Sequence, residues 1–222
     1  STSQRNNSLI CVGLDPIPNL LPIDDIAKFN KEIIDATSDL VCAYKPQMAF
    51  YESMGLNGLR SLEATMAAIP DHIPVILDGK RNDIASTAAA YAKSVFQGWD
   101  ADATTLNPYL GGDSIEPFLE YEDRVSIILV RTSNPGSGDF QTLPVNVGNG
   151  QEPLYKKVAE AASRWNTRGN VGVLVGATYP QELKEVREIC PNMPILVPSR
   201  FLLVSSRTRK QKPGSKITNL IL

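Results

Sequence analysis

The sequence predicts an α/β fold of the (β/α)8 TIM-barrel type, with room for an incomplete C-terminal end. Three observations point there. Short apolar runs alternate with stretches of helical periodicity. Run after run ends in a polar or charged side chain, which is how a barrel with its active site at the C-terminal face distributes them. The G-x-G-x-x-G fingerprint of an open dinucleotide-binding sheet is missing after the first run, where Gly13-Leu14-Asp15-Pro16 stands instead.

The strand candidates are 9–14, 40–44, 74–77, 101–106, 125–130, 171–175 and 193–197. Each is short and apolar, several are rich in Val and Ile, and they read as strands buried on both faces of a parallel sheet. Ile26, Phe29, Ile33 and Ile34 follow a helical period, as do Ile84, Ala88, Tyr91, Ala92, Val95, Phe96 and Trp99. Leu183, Val186 and Ile189 form a shorter stripe after Pro180, with Thr178 as a candidate cap. The side chains expected at the strand ends are Asp15, Lys45, Asp78 with Lys80, Asn107, Ser133 with Asn134, and Thr178.

Composition narrows the function classes. With 42% hydrophobic and 21% charged residues, the chain is neither disordered nor collagenous. Cys11, Cys42 and Cys190 are odd in number and lack a C-x-x-C pair, so they read as buried small residues in a reducing compartment. His72 is the single histidine; it stands before a strand, at the wrong end for chemistry in a parallel α/β fold, and reads as a loop residue. One histidine cannot build a two-histidine metal site. Neither a signal peptide nor an apolar run of membrane-spanning length is read, so a cytoplasmic protein is expected.

The net charge of −2 conceals an uneven distribution. Residues 199–222 hold Arg200, Arg207, Arg209, Lys210, Lys212 and Lys216 and no acid, which leaves −8 on residues 1–198. The overall balance argues against a nucleic-acid protein.

The most informative segment is Asp78-Gly79-Lys80-Arg81-Asn82-Asp83-Ile84-Ala85-Ser86-Thr87. Asp78 and Lys80, two apart at a strand end, point the same way, toward the barrel mouth. Asp83 and Thr87, four apart, share a face where the next helix begins, and Ile84 is expected to start that helix's apolar stripe and help seat it. Lys45 ends the neighbouring strand. If Asp83 reaches the same pocket, Lys45, Asp78, Lys80 and Asp83 form an alternating array in which each charge holds its neighbours ionised. The plainer reading is a surface salt-bridge cluster, since exposed pairs are common and contribute only about 0–1 kcal/mol.

At these residues the chain resembles the orotidine 5′-phosphate decarboxylase family, whose signature D-x-K-x-x-D-I-x-x-T is matched at every fixed position from Asp78 to Thr87. The resemblance extends to Asp15 in Gly13-Leu14-Asp15-Pro16, to Lys45 in Tyr44-Lys45-Pro46, and to Ser133-Asn134-Pro135-Gly136. The long loop 136–150 and Val175-Gly176-Ala177-Thr178-Tyr179-Pro180 look like the bacterial branch that carries an insertion there. In all it covers roughly residues 8–198.

The resemblance implies removal of CO₂ from orotidine 5′-phosphate to give UMP, a step of pyrimidine biosynthesis, without metal or organic cofactor. It implies that Lys45, Asp78, Lys80 and Asp83 are catalytic, with Lys80 stabilising charge at C6 and delivering the proton. Asp15, Ile84, Thr87, Ser133 and Pro198 would bind substrate. Asp83, Ile84 and Thr87 would be supplied across a homodimer interface. Orotidine 5′-phosphate, UMP and a second subunit are the expected partners, with no nucleic acid and no membrane.

The chain departs from the family after Pro198. The family's Gly-rich phosphate loop and later Gly-Arg are replaced by Ser199-Arg200-Phe201 and a basic tail. Only 24 residues follow Pro198, where a last helix, strand and helix would need about 45. Residues 1–198 are therefore expected to form the barrel, and 199–222 an atypical tail in place of the phosphate loop and last barrel unit. An altered C-terminus, a natural truncated variant and a functional basic tail all account for it, and Ile217–Leu222 would suit a short strand. Two other functions remain open: a Mg²⁺-dependent sugar-phosphate decarboxylase or aldolase of the same superfamily, and a non-catalytic barrel whose tail binds anions. Lys45 disfavours the former, because a metal site would prefer a carboxylate there.

Overall fold

A computed structural model describes residues 1–17, 21–22, 25–148 and 150–198. The basic tail 199–222, with Arg200 and the strand expected at 217–222, lies outside the described residues.

Seven parallel strands form the body of the protein: β1 (Cys11–Leu14), β2 (Ala43–Pro46), β3 (Ile76–Arg81), β4 (Ala103–Leu106), β5 (Val125–Arg131), β8 (Val171–Val175) and β9 (Ile195–Leu196). They lie in the order β1-β2-β3-β4-β5-β8-β9, with β2 joined to β3 by the bridges Tyr44 to Val75 and Gln47 to Asp78. Among the described residues there is no eighth parallel strand. An antiparallel hairpin, β6 (Pro144–Val147) with β7 (Gly150–Pro153), leaves the body within the long loop after β5.

All seven expected strands are present, 171–175 with the same limits and the others with shifted ones. The second starts at Ala43 rather than Leu40, because Leu40 still belongs to the turn off the preceding helix, where its N–H donates to Thr37 O. The third runs on through Asp78, Gly79 and Lys80 to Arg81, which pairs with Leu106 across an irregularity in register.

Helices cover the outside: α1 (Thr2–Arg5), α2 (Ile26–Thr37), α3 (Met48–Glu52), α4 (Gly55–Ala68), α5 (Ala85–Lys93), α6 (Glu116–Leu119), α7 (Gly138–Gln141), α8 (Leu154–Trp165) and α9 (Pro180–Ile189). The Asp25 side chain caps α2 by accepting from Lys28 N–H. Tyr179, not Thr178, occupies the cap position of α9, and it supplies no side-chain hydrogen bond. Helix α5 passes into a wider turn over Ser94–Gly98 that buries Val95 and Phe96. His72 is exposed in the turn before β3, as expected of a loop residue.

Strand side chains alternate between one inward core and two outward ones, the smaller of which packs Leu14 of β1 and Tyr44 of β2 with Ile34, Ile69 and Ile73. Leu77, Leu106, Ile128, Val130, Val171, Val173, Val175 and Ile195 face outward and pack with helix residues such as Leu62, Phe118, Ala159 and Val186. Ala43, Ile76, Ala103, Ile127, Leu174 and Leu196 face inward and pack with one another, with Cys11 against them. Side chains two apart on a strand share a face. Two positions beyond the inward residues Cys11, Ala43, Ile76 and Ala103 lie Gly13, Lys45, Asp78 and Thr105, on the same face and nearer the C-terminal mouth. The apolar layer is thus the floor of a polar one.

Candidate active site

Asp78 is the centre of this polar layer. Its side chain is only 5% exposed, and a carboxylate so placed must be fully hydrogen-bonded to stay ionised. Lys80 Nζ donates to Oδ1 at 2.8 Å and to Oδ2 at 3.0 Å. Lys45 Nζ approaches Oδ2 at 3.3 Å, and the Thr105 hydroxyl donates to Oδ1 at 2.6 Å. Burial pushes the Asp78 carboxyl up, but Lys45 and Lys80 together with these hydrogen bonds outweigh it and hold the group below its ordinary value.

Lys45 bridges to a second carboxylate, with Asp15 Oδ2 3.7 Å from its Nζ. Burial pulls the lysine down, yet Asp15 and Asp78 on either side overcome this and raise it. Asp15 sits nearer the rim, where burial raises its carboxyl and Lys45 only partly offsets the effect. Cys11, on the floor of the same pocket, has its thiol pushed up to about 12, chiefly by burial, so it is held neutral.

The four charges therefore run Asp15, Lys45, Asp78, Lys80. Asp78 and Lys80 point the same way, as the spacing requires. Lys80 is the most open member, 42% exposed at the mouth, with a left-handed backbone at φ 45°. Asp83 is placed differently from the alternating array. It lies half-buried beyond β3, its Oδ1 accepting from Ile84 N–H at 2.9 Å, and it forms no ion pair among the described residues. Ile84 is also not where its apolar character suggests. It precedes α5 as the cap residue and is 56% exposed, so the buried stripe of that helix begins at Ala88. Thr87 is exposed beside it.

Ser133 and Pro198 lie farther along the rim, two residues past the ends of β5 and β9. Gly176 packs so closely on Ser133 that an added Cβ would stand 2.8 Å from the serine Cβ. Gly176 N–H donates to Arg131 O at 2.7 Å and Ala177 N–H to Pro198 O at 3.1 Å, stitching β5, β8 and β9 together at the mouth. Asn107 is exposed and orders its own turn, its Oδ1 accepting from Tyr109 N–H. Thr178 is exposed as well, so neither joins the charged cluster.

Two contributors escape sequence reasoning. Thr105 looks like an ordinary β-branched strand residue, and only the two-residue period in register with Asp78 marks it. Arg131 is buried at the end of β5, stacked over the Tyr179 ring at 3.8 Å and donating to Ser137 Oγ and Gln141 Oε1. Gln141 in turn accepts from Thr132 N–H and donates to Thr132 Oγ1, which fixes the chain just before Ser133. Among the described residues no group of three or more His, Cys, Asp or Glu is assembled as metal ligands would be.

Residues 8–213 match the model of the Orotidine 5′-phosphate decarboxylase / HUMPS family. The chain is 54% identical over 204 residues to an orotidine 5′-phosphate decarboxylase of Thermomicrobium roseum, covering 89% of this chain and 72% of that protein. It is 53% identical over 205 residues to one from Herpetosiphon aurantiacus, covering 89% and 76%. Among solved structures, Leishmania donovani OMP decarboxylase superposes with a TM-score of 0.81 at 44% identity, over 89% of this chain and 76% of that one.

Proposed function

The chain belongs to the orotidine 5′-phosphate decarboxylase / HUMPS family, and from that premise we propose that it decarboxylates orotidine 5′-phosphate to UMP and CO₂ within pyrimidine biosynthesis. The observation that carries this reading is the buried Asp78 carboxylate hydrogen-bonded to the open Lys80 ammonium, with Lys45 and Asp15 behind it.

Loss of CO₂ leaves an electron pair at C6 of the pyrimidine, a poor carbanion. Lys80 serves as its counter-ion and then as the proton donor to C6, an electrostatic role followed by a general-acid one. Asp78 lies against the departing carboxylate. Its charge is fixed by its partners, so it cannot retreat by protonation. Lys45 keeps Asp78 ionised and in place, and contacts the ribose hydroxyls with Asp15. Because the donors are already ordered in the free protein, little reorganisation is needed as charge develops. Ser133 hydrogen-bonds the pyrimidine, and Pro198 completes the substrate-binding rim. No residue in this scheme requires a metal or organic cofactor. Lys45 stands at the β2 position where a Mg²⁺-dependent sugar-phosphate enzyme would prefer a carboxylate.

Asp83, Ile84 and Thr87 act in the site of a second subunit, so the working unit is a homodimer. Two features support this: Asp83 lacks an ion pair among the described residues, and Ile84 presents an apolar side chain to solvent beside it. A cytoplasmic location accompanies the reading. Among the described residues no helix is long and apolar enough to cross a membrane, and the three cysteines are free. Residues 1–198 form the catalytic barrel in this scheme.

The test is to mix the purified chain with orotidine 5′-phosphate and follow loss of substrate absorbance. Turnover that persists in EDTA supports the reading. Absence of turnover overturns it. Orotidine without its phosphate, run in parallel, reports whether the chain holds the phosphate, since binding energy there is used to lower the barrier at C6.

A further inference from the structure

Thr105 is 0% exposed on β4, between Asp78 and the backbone of Lys80. Its hydroxyl accepts the Lys80 N–H at 2.9 Å and donates to Asp78 Oδ1 at 2.6 Å. A threonine hydroxyl has a single proton. Because the amide can only donate, that proton is directed at the carboxylate. The relay therefore has one polarity, from amide to hydroxyl to carboxylate, and it favours the ionised form of Asp78. It also fastens the one residue of the cluster whose backbone is strained, Lys80 at φ 45°.

We propose that Thr105 is a positioning residue for decarboxylation, setting the direction of the Asp78 carboxylate and of the Lys80 backbone through one buried hydroxyl. This rests on the roles proposed above for Asp78 and Lys80. The neighbouring Thr104 isolates what is particular to position 105: its hydroxyl donates to Leu77 O, a backbone carbonyl, and reaches no charged group. The charged and titratable groups facing Asp78 are Cys11 from β1, Asp15 just after it, Lys45 from β2 and Lys80 from β3, and Thr105 supplies the contact from β4. Without it, the carboxylate keeps its lysines but loses the donor that fixes its plane from that side.

Thr105→Val preserves shape and removes the hydroxyl; Thr105→Ser restores the hydroxyl without the methyl. The expected result for T105V is a fall in kcat of about tenfold with KM for orotidine 5′-phosphate nearly unchanged. The acid limb of the kcat profile should move up by about one pH unit, because a carboxylate that loses a hydrogen-bond donor protonates more easily. T105S should recover both. A T105S variant as impaired as T105V would overturn the proposal, since packing of the methyl would then explain the loss.

A second readout does not depend on turnover. The Asp78 carboxylate is titrated by carbon-13 NMR in the unliganded protein, its resonance assigned by its disappearance in D78N. T105V should raise the midpoint and T105S should leave it in place; an unchanged midpoint in T105V would overturn the proposal even in a chain that does not decarboxylate. Inactivity of the unmutated chain would instead strike at the proposed function. If T105V does not fold, T105A is read by the same titration.

Discussion

Lys80 Nζ donates to both carboxylate oxygens of Asp78, at 2.8 and 3.0 Å, while its own side chain remains 42% exposed. The pair is thus anchored at one end and open at the other, as a group that delivers a proton to a bound molecule must be. Lys80→Ala should lower kcat by about 10²–10⁴-fold or more, the range that a positioned general acid supplies. The fold should survive, because Asp78 retains Lys45 and Thr105 and no core side chain is removed. Activity with orotidine 5′-phosphate and the melting temperature are measured together. Near-normal turnover would refute the assignment of Lys80.

Asp83 sets up a test that uses two inactive proteins. If its carboxylate acts in the partner's site, a dimer pairing one D83A subunit with one K80A subunit contains one doubly damaged site and one intact site. Random mixing in a two-fold dimer should then restore roughly a quarter of wild-type activity. Two mutants that remain inactive after mixing would show that each site is built from one chain.

Stability against pH should carry the signature of the polar layer, and its members differ in sign. The Asp78 carboxyl lies below its ordinary 3.8 in the folded protein, so its contribution is present above that value and lost as pH falls through the folded one. Lys45 is raised above 10.5, so its contribution is present below 10.5 and lost as pH climbs through the raised value. Asp15 opposes Asp78, because its carboxyl is raised in the folded state and protonation on acidification relieves a cost. Urea unfolding from pH 3 to pH 7 should therefore show a steeper acid loss in D15N and a shallower one in D78N than in the unmutated chain.

The parts of this protein that are legible in its sequence are those governed by local period. Short apolar runs mark every parallel strand, most of them buried on both faces, and the two-residue spacing of Asp78 and Lys80 places both on one face. Segments 48–68 and 154–165 give no assignment by pattern, although they form α3, α4 and α8. The hairpin of 144–153 is a half-exposed pair of strands in an insertion, without a core-facing run to announce it. Ile84 misleads, because an isoleucine in step with a helical stripe looks like core. Its position one residue before α5 turns it to solvent. Asp15 is legible as a strand-end acid, but its pairing with Lys45 depends on β1 lying next to β2, with Gly13 opposite Lys45, which no local pattern encodes.

The support beneath Asp15 gives a last prediction. Asp15 follows the final residue of β1, Leu14, whose carbonyl accepts a hydrogen bond from the fully buried Tyr51 hydroxyl at 2.8 Å. That hydroxyl in turn accepts from Asn30 Nδ2, which also donates to Thr65 Oγ1, each at 2.9 Å. The chain ties α2, α3 and α4 to the end of β1, and every member is buried, so no water replaces a lost partner. Tyr51→Phe keeps the ring but leaves the Leu14 carbonyl without this donor and Asn30 without one of its acceptors. It should destabilise the fold by about 1–3 kcal/mol, the cost of buried polar groups left unpartnered, measured by urea unfolding. Asp15 would be loosened while the Lys80–Asp78 pair on β3 stays in place. KM for orotidine 5′-phosphate should therefore rise while kcat changes much less. A fall in kcat at constant KM would instead show that β1 supports the reacting charges rather than the substrate's ribose.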